Sequence, residues 1–119
     1  MQHAFKLFTG PADASHVIEG TVAQNDPVKR LPFTSRSRRR ILRFDWHDAP
    51  ERQYVVTLSG MLEFTTRDGE TFVLRPGDVL LAADNVGTGH KWRLIDDQPG
   101  RRVYVVLQPG AHDAFVPNQ

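Results

Sequence analysis

WHDAPERQYVVTLSG, from Trp46 to Gly60, is the stretch that decides the fold of this chain. Its polar turn around Pro50 separates two segments rich in aromatic and β-branched residues, a composition typical of strands joined by a short connection. Further along come RPGDVLLA, from Arg75 to Ala82, and then a single histidine, His90. These two stretches and His90 therefore lie on or beside predicted strands.

From residue 40 onward the chain consists of short strand candidates with turn residues between them. The candidates are ILRFDWH, QYVVTLS, MLEFTTR, ETFVLR, DVLLA, HKWRLI and RRVYVVL. The clearest hairpin is at residues 67–70, because the pair Asp68-Gly69 is typical of a two-residue type I′ turn. This regular strand spacing predicts an antiparallel sandwich or barrel.

The two ends of the chain carry weaker patterns. Residues 5–8 and 17–22 are predicted strands, residues 10–15 a loop or one helical turn, and residues 25–38 a long connection. We expect residues 1–39 to add strands at the barrel's edge or to cover a partner subunit. Residues 40–108 are the predicted barrel core and residues 109–119 a tail. At 119 residues the chain is one domain.

The composition excludes several classes of function. With 39% hydrophobic and 24% charged residues the chain is typical of globular proteins, and the absence of cysteine excludes disulfides and thiolate metal sites. No apolar run reaches the roughly 20 residues that span a bilayer, and no signal peptide is evident, so we expect a cytoplasmic protein with no membrane partner. The net charge is +1. The basic segment from Lys29 to Arg43 favours a solvated strand edge over a nucleic-acid surface.

The quoted residues resemble the two site motifs of the cupin family, and in particular those of small single-domain cupins. The spacing from Gln53 to Gly60 matches the Glu-to-Gly spacing of the first cupin motif, while Gly77 opens the second motif and His90 ends it. This resemblance implies an all-β fold, the cupin-type double-stranded β-helix, or jelly-roll barrel, of antiparallel strands. Cupins include oxygenases, isomerases and non-catalytic binding modules, so the resemblance does not define the reaction.

The resemblance also implies a metal site, with two of its positions altered. His47 takes the place of the first cupin histidine and His90 that of the last, while Ala49 replaces the second histidine and Gln53 the glutamate. His47, Gln53 and His90 would hold a divalent ion (iron, manganese, nickel or zinc) weakly, because the anionic ligand is missing. In a second register Asp45, His47 and His90 resemble a triad of two histidines and one carboxylate, which suits non-haem iron.

In the alternative without metal, His47 and His90 are catalytic imidazoles that move protons or hydrogen-bond a small polar substrate. Gln53 then orients the ligand, and Arg43 or Arg93 pairs with a carboxylate or phosphate. Trp92 lies two positions after His90, so we expect both side chains to point inward, whereas Arg93 faces out. Arg43, Asp45, Gln53 and Trp92 are the predicted substrate-binding residues.

Strand alternation leaves two interpretations of the segment before Pro50. Arg43, Asp45 and His47 share one face, and Leu42, Phe44 and Trp46 share the other. If His47 points inward, the apolar face needs cover, which predicts a homodimer. If the strand is offset, the apolar face forms the core. The sequence thus predicts a cupin-type pocket that binds a small molecule, either as a metal-dependent oxygenase or isomerase or as a non-catalytic sensing module.

Overall fold

The computed structural model describes residues 2–23, 28, 30, 34–38, 43–47, 52–84 and 88–118, with 34–38 and 43–47 described as backbone. The strands are β1 (Gln2–Thr9), β2 (Ser15–Val22), β3 (Thr34–Arg38), β4 (Arg43–His47), β5 (Gln53–Ser59), β6 (Leu62–Thr66), β7 (Thr71–Leu74), β8 (Val79–Ala83), β9 (His90–Leu94), β10 (Gly100–Val106) and β11 (Phe115–Pro117). A 3₁₀ turn, Pro11–Asp13, precedes β2. Across the described ranges, no helix is long and apolar enough to cross a membrane.

The strands form two sheets, which confirms the all-β class. Among the strands that the structure describes, seven form the larger sheet in the order β11-β2-β1-β8-β5-β10-β3, and four form the smaller in the order β4-β9-β6-β7. Most pairings are antiparallel, as predicted. The exception is β1, which pairs with β8 in parallel, with Leu7 opposite Ala82. The fold is therefore not built of antiparallel pairs alone.

The main core lies between the two sheets. Its buried members come from the facing strands of both layers: Leu7, Val55, Leu62, Phe64, Phe72, Leu74, Leu80, Ala82 and Trp92. The small sheet shows the period of two directly, since Leu62, Phe64 and Thr66 are buried while the residues between them are half-buried. One face of each sheet therefore builds the interior.

A second, smaller cluster covers the outer face of the large sheet. Tyr54, Leu81 and Leu107 are buried there, with Ala111 and Phe115 packed against them. The Tyr54 hydroxyl donates a hydrogen bond to the Asp113 carbonyl oxygen. Burial, followed by the nearby Asp113 carboxylate, raises the pKa of Tyr54 above its usual value. Residues 107–115 are thus attached to the sheet.

The predicted strands from residue 40 onward are confirmed, and so are those near residues 5–8 and 17–22. The predicted turn at residues 10–15 contains the 3₁₀ turn. Two strands were not predicted. β3 lies inside the segment interpreted as a long connection, and β11 lies inside the segment interpreted as a tail. Both are short strands at a sheet edge, where local sequence gives little signal.

The hairpin between β6 and β7 is correctly located, but its turn type was wrong. The Gly69 amide donates to the Thr66 carbonyl, and the Thr66 amide donates to the Glu70 carbonyl. Gly69 has φ +84°, and Asp68 is not among the described residues with positive φ. This is a three-residue loop with glycine in the left-handed position and not a type I′ turn.

Candidate functional site

The site begins with a buried pair, His90 at the start of β9 and Asp84 just after β8. The His90 Nδ1 lies 2.5 Å from Asp84 Oδ2, and the Ser15 hydroxyl donates to the same oxygen at 2.7 Å. Asp84 and Ser15 are fully buried, and His90 is 4% exposed. A carboxylate only accepts hydrogen bonds, so the ring donates through Nδ1–H. Nε2 then carries the lone pair, which can bind a metal ion or accept a proton.

A buried carboxylate with only one oxygen engaged is an uncommon arrangement. Asp84 Oδ1 is buried and has no hydrogen-bond partner among the described residues. Burial of a charge without full compensation costs stability, and such groups concentrate at functional sites. Asp84 also orients His90, because a carboxylate that is hydrogen-bonded to one ring nitrogen of a histidine fixes the orientation of the ring and its tautomer.

Three separate segments bring His90, Asp84 and Ser15 together: β9, the residues just after β8, and the start of β2. β9 alternates strictly, with His90 and Trp92 buried and Lys91 and Arg93 exposed, so the histidine is directed into the core. The parallel pairing of β1 with β8 brings the start of β2 beside the end of β8. There the Thr88 amide donates to the Asp13 carbonyl at 2.7 Å.

His47 lies next to His90 in the small sheet. The register of β4 and β9 sets His47 opposite His90, Phe44 opposite Trp92 and Arg43 opposite Arg93. Between Phe44 and His47 the register is irregular, and Asp45 lies within that interval. Such an irregularity changes the phase of a strand. The two alternations predicted for this strand concern its side chains, which lie outside the part of the chain that the structure describes, so both stay predictions.

Gln53 reaches the interior from the opposite sheet. It is buried at the start of β5, and it lies opposite Ala82, two residues before Asp84. Along β5 it shares a face with Val55, which belongs to the core between the sheets. The fold thus places Gln53 at the end of the large sheet that also carries Asp84. Ala49, the other altered cupin position, lies outside the described residues.

The interior also contains an arginine that the sequence reasoning missed. The guanidinium carbon of Arg102, on β10, lies 4.5 Å from the centroid of the Trp92 ring, and both residues are buried. The predicted site residue Trp92 therefore forms a cation–π contact inside the protein. Arg93, in contrast, is at the surface, where its Nε donates to Glu63 Oε1 at 3.0 Å. Its outward direction was predicted.

A second group of potential metal ligands lies at the surface. His16, Asp68 and Glu70 have ligand atoms within 4.8 Å of one another, and the His16 Nδ1 is 2.9 Å from Glu70 Oε1. Asp68 is exposed, and His16 and Glu70 are half-buried. This arrangement is that of a solvated ion-pair group on a hairpin loop, and it is separate from the His90 pair.

The residues that were missed differ in how well the sequence marked them. Arg102 and Tyr104 are two positions apart in RRVYVVL, so the period of two of a β-strand was sufficient to place the two residues on one face of β10. No strand pattern in the sequence marked Asp84 as a buried residue. It follows the strand in what looks like an ordinary loop, and its partner Ser15 is 69 positions away in sequence.

No protein-family model matches the chain, and no curated protein matches it. Among solved structures, the chain is similar to a DUF861 family protein from Thermotoga maritima, with 25% identity and a TM-score of 0.44. The match covers 64% of this chain and 77% of the other. The function is therefore argued from this chain's own residues.

Proposed function

We propose that the chain is a small cupin whose interior binds a small polar molecule at His47, Gln53 and His90. The observation that supports this most strongly is the buried contact between Asp84 and His90, at the point where the register sets His47 opposite. A histidine that binds a metal ion through Nε2 commonly has a carboxylate on its other ring nitrogen, which fixes the tautomer and the ring orientation.

In the favoured form, the site holds a divalent metal ion, such as iron, manganese, nickel or zinc. The donors suit such an ion, since imidazole nitrogens bind these metals and the contact with Asp84 orients the His90 ring. Gln53 supplies a neutral amide oxygen in place of an anionic ligand, which makes the affinity low. When bound, the ion would polarise or activate an oxygen-bearing ligand. In the second register, Asp45 on β4 would be the carboxylate ligand beside His47 and His90.

In the second form, the imidazoles act without a metal. With Nδ1–H held by Asp84, Nε2 of His90 would take a proton from a bound substrate or return it, as in isomerases and lyases. Arg43 and Trp92 would then help to position the ligand.

The competing function is a non-catalytic module that senses or stores a ligand. Its support is the replacement of two metal-binding positions by Ala49 and Gln53. Tight binding without turnover, in a protein that retains no metal, is the outcome expected of it.

Elemental analysis tests the metal form directly. The protein is purified without chelators or a metal-binding tag, beside the variants His47→Ala, His90→Ala and Asp84→Asn. Metal is expected in the wild type, rising to near one equivalent after reconstitution with the ion, and both histidine variants should lose it. Asp84→Asn should weaken the affinity by about 10- to 100-fold, because it disturbs the orienting contact.

His3→Ala is the matched control, since His3 is exposed and paired with Glu19 on the surface. It should keep the full metal content. A wild type that stays free of metal after reconstitution would contradict the metal form and leave acid–base catalysis or plain binding. Unchanged ligand binding and activity in a His47→Ala/His90→Ala double variant would refute the proposed site altogether.

A further inference from the structure

We propose that His16, Asp68 and Glu70 form a second metal site, at the surface, which binds a first-row divalent ion such as Zn²⁺ and joins the two sheets. Two of the ligands come from the hairpin between β6 and β7 in the small sheet, and the third comes from β2 in the large sheet. The site lies outside the interior residues of the proposed function and does not depend on them.

The spacing of the donor atoms is that of three ligands around one ion. The His16 Nδ1 lies 2.9 Å from Glu70 Oε1 and 3.5 Å from Asp68 Oδ2, and all three donor atoms are within 4.8 Å of one another. Ligands held about 2.1 Å from a zinc ion lie roughly 3.0–3.4 Å from their neighbours. The three side chains therefore need only small movements to surround one ion, and water would complete its coordination.

Packing fixes the direction of the His16 ring. Its centroid lies 5.8 Å from that of the Phe8 ring, and a Cβ added at Gly10 would come within 2.6 Å of the His16 Cδ2 atom. Gly10 has φ −106°, which residues with side chains also adopt, so glycine is needed here to leave space for the imidazole. Phe8 and Gly10 thus hold the ring with Nδ1 toward the hairpin, and a ring fixed in advance favours metal binding.

The charges on the hairpin favour a divalent cation. Asp68 and Glu70 lie on either side of Gly69, and their oxygens approach within 4.8 Å, so the two carboxylates repel each other. One divalent ion would offset both negative charges at once. A set of one imidazole nitrogen and two carboxylate oxygens suits zinc and its first-row neighbours, whereas calcium takes oxygen ligands.

In the absence of an ion, the same atoms form a hydrogen-bonded pair. A carboxylate only accepts hydrogen bonds, so the His16 ring donates through Nδ1–H to Glu70. The metal ion would take the place of this proton, and the neutral ring would then carry its hydrogen on Nε2. Surface ion pairs contribute little to stability, so the exchange of proton for metal costs the fold little.

The surface site is adjacent in the chain to residues of the interior pair. Ser15, the residue before His16, donates to Asp84 at 2.7 Å. Thr66, where the hairpin begins, lies opposite His90 in the register of β6 and β9. An ion at the surface site would therefore fasten β2 to the hairpin at the end of the fold that carries His90.

A zinc titration followed by NMR locates the ion without any activity measurement. Zn²⁺ should shift the backbone amide signals of residues 16 and 68–70 saturably, whereas Ca²⁺ should not. His16→Asn, Asp68→Asn and Glu70→Gln should each weaken the response by at least about tenfold, because each removes one ligand. Asp68 is exposed, so Asp68→Asn keeps the test decisive if the His16 variant folds poorly.

His3→Asn is the matched control. His3 forms a surface pair with a single carboxylate, that of Glu19, at 3.0 Å, so its replacement should leave the zinc response of the hairpin unchanged. An equal response to Ca²⁺, or an undiminished zinc response in Asp68→Asn and Glu70→Gln, would overturn the site.

The melting temperature tests whether the ion joins the sheets. At a Zn²⁺ concentration that saturates the wild type, it should rise by several degrees, and the rise should be smaller in Asp68→Asn. Equal rises in the two proteins would contradict the bridge between β2 and the hairpin.

The interior variants separate this inference from the proposed function. His90→Ala should keep the zinc response of residues 68–70 even where it loses interior metal. A response of residues 68–70 in a protein whose interior takes up no metal supports the surface site while the metal form of the proposed function fails. Zinc uptake that His90→Ala abolishes and Asp68→Asn leaves intact refutes the surface site and leaves the interior one standing.

Discussion

Ionisation of the Tyr54 phenol is less favourable in the folded protein than in the unfolded chain. Its burial and the nearby Asp113 raise its pKa above the ordinary tyrosine value. The folded protein therefore holds this proton more tightly than the unfolded chain does. The contribution of this group to the stability of the folded protein is complete below the ordinary tyrosine pKa of about 10. It is lost as the pH rises above that value.

The free energy of unfolding should accordingly fall above about pH 10, by at most about 1.4 kcal/mol per pH unit for this one group. Urea unfolding at a series of alkaline pH values measures it. Tyr54→Phe should be less stable at neutral pH, because it loses the hydrogen bond to the Asp113 carbonyl, and its alkaline slope should be smaller. Equal slopes in the two proteins would contradict the prediction.

At the same scale, the site was only partly predictable from the sequence. The motif spacing proposed His90 and Gln53 as site residues, and both are buried. It did not identify Asp84, because the fold alone brings the loop after β8 to Ser15 and His90. Hydrophobic periodicity describes neighbours along a strand and carries no information about contacts between distant segments.

Among the elements, the hairpin between β6 and β7 depends on one glycine. Gly69 has φ +84°, and an added Cβ would have open space around it. Gly69→Ala should therefore cost only the backbone strain of the left-handed region, about 1–2 kcal/mol. Chemical unfolding measures this loss. Gly69→Asn, which tolerates that region better, should recover part of the loss, and equal stability of alanine and glycine would contradict the assigned turn.

The C-terminal segment should behave as part of the fold. Arg52 donates to the Ala111 carbonyl, and Phe115 packs over the outer cluster with Tyr54 and Leu81. Deleting residues 109–119 should lower the free energy of unfolding by about 2 kcal/mol or more, because a large apolar side chain loses its cover. An unchanged urea midpoint for the truncated chain would restore the earlier interpretation of this segment as a tail.

The sequence predicted the strands well where a strand alternates or is uniformly apolar, and less well where it is short and polar. β6 and β9 show their burial pattern in the sequence itself. β3, with the sequence TSRSR, has no apolar face, and only its pairing with β10 makes it a strand. The turn at Gly69 was misassigned because an Asp-Gly pair suits both a two-residue turn and the last two positions of a three-residue loop.

At the scale of the whole molecule, we predict a homodimer. In the pairings of the described strands, β3 and β11 end the large sheet, and β4 and β7 end the small one. Open edges of this kind pair with other chains unless they are protected. Light scattering at micromolar concentration should give about twice the 13.5 kDa mass of the chain. A monomeric mass would contradict the prediction.

The parallel pairing of β1 with β8 has a consequence during synthesis. β1 is synthesised before β8 and can form a hairpin with β2 early, but its other edge must wait until β8 has also been made. At about 5–20 residues per second, that edge stays open for several seconds in the nascent polypeptide. During this interval Phe5 and Leu7, which later join the core, lack β8 beside them, so we expect the nascent β1–β2 hairpin to expose apolar side chains to which a chaperone could bind.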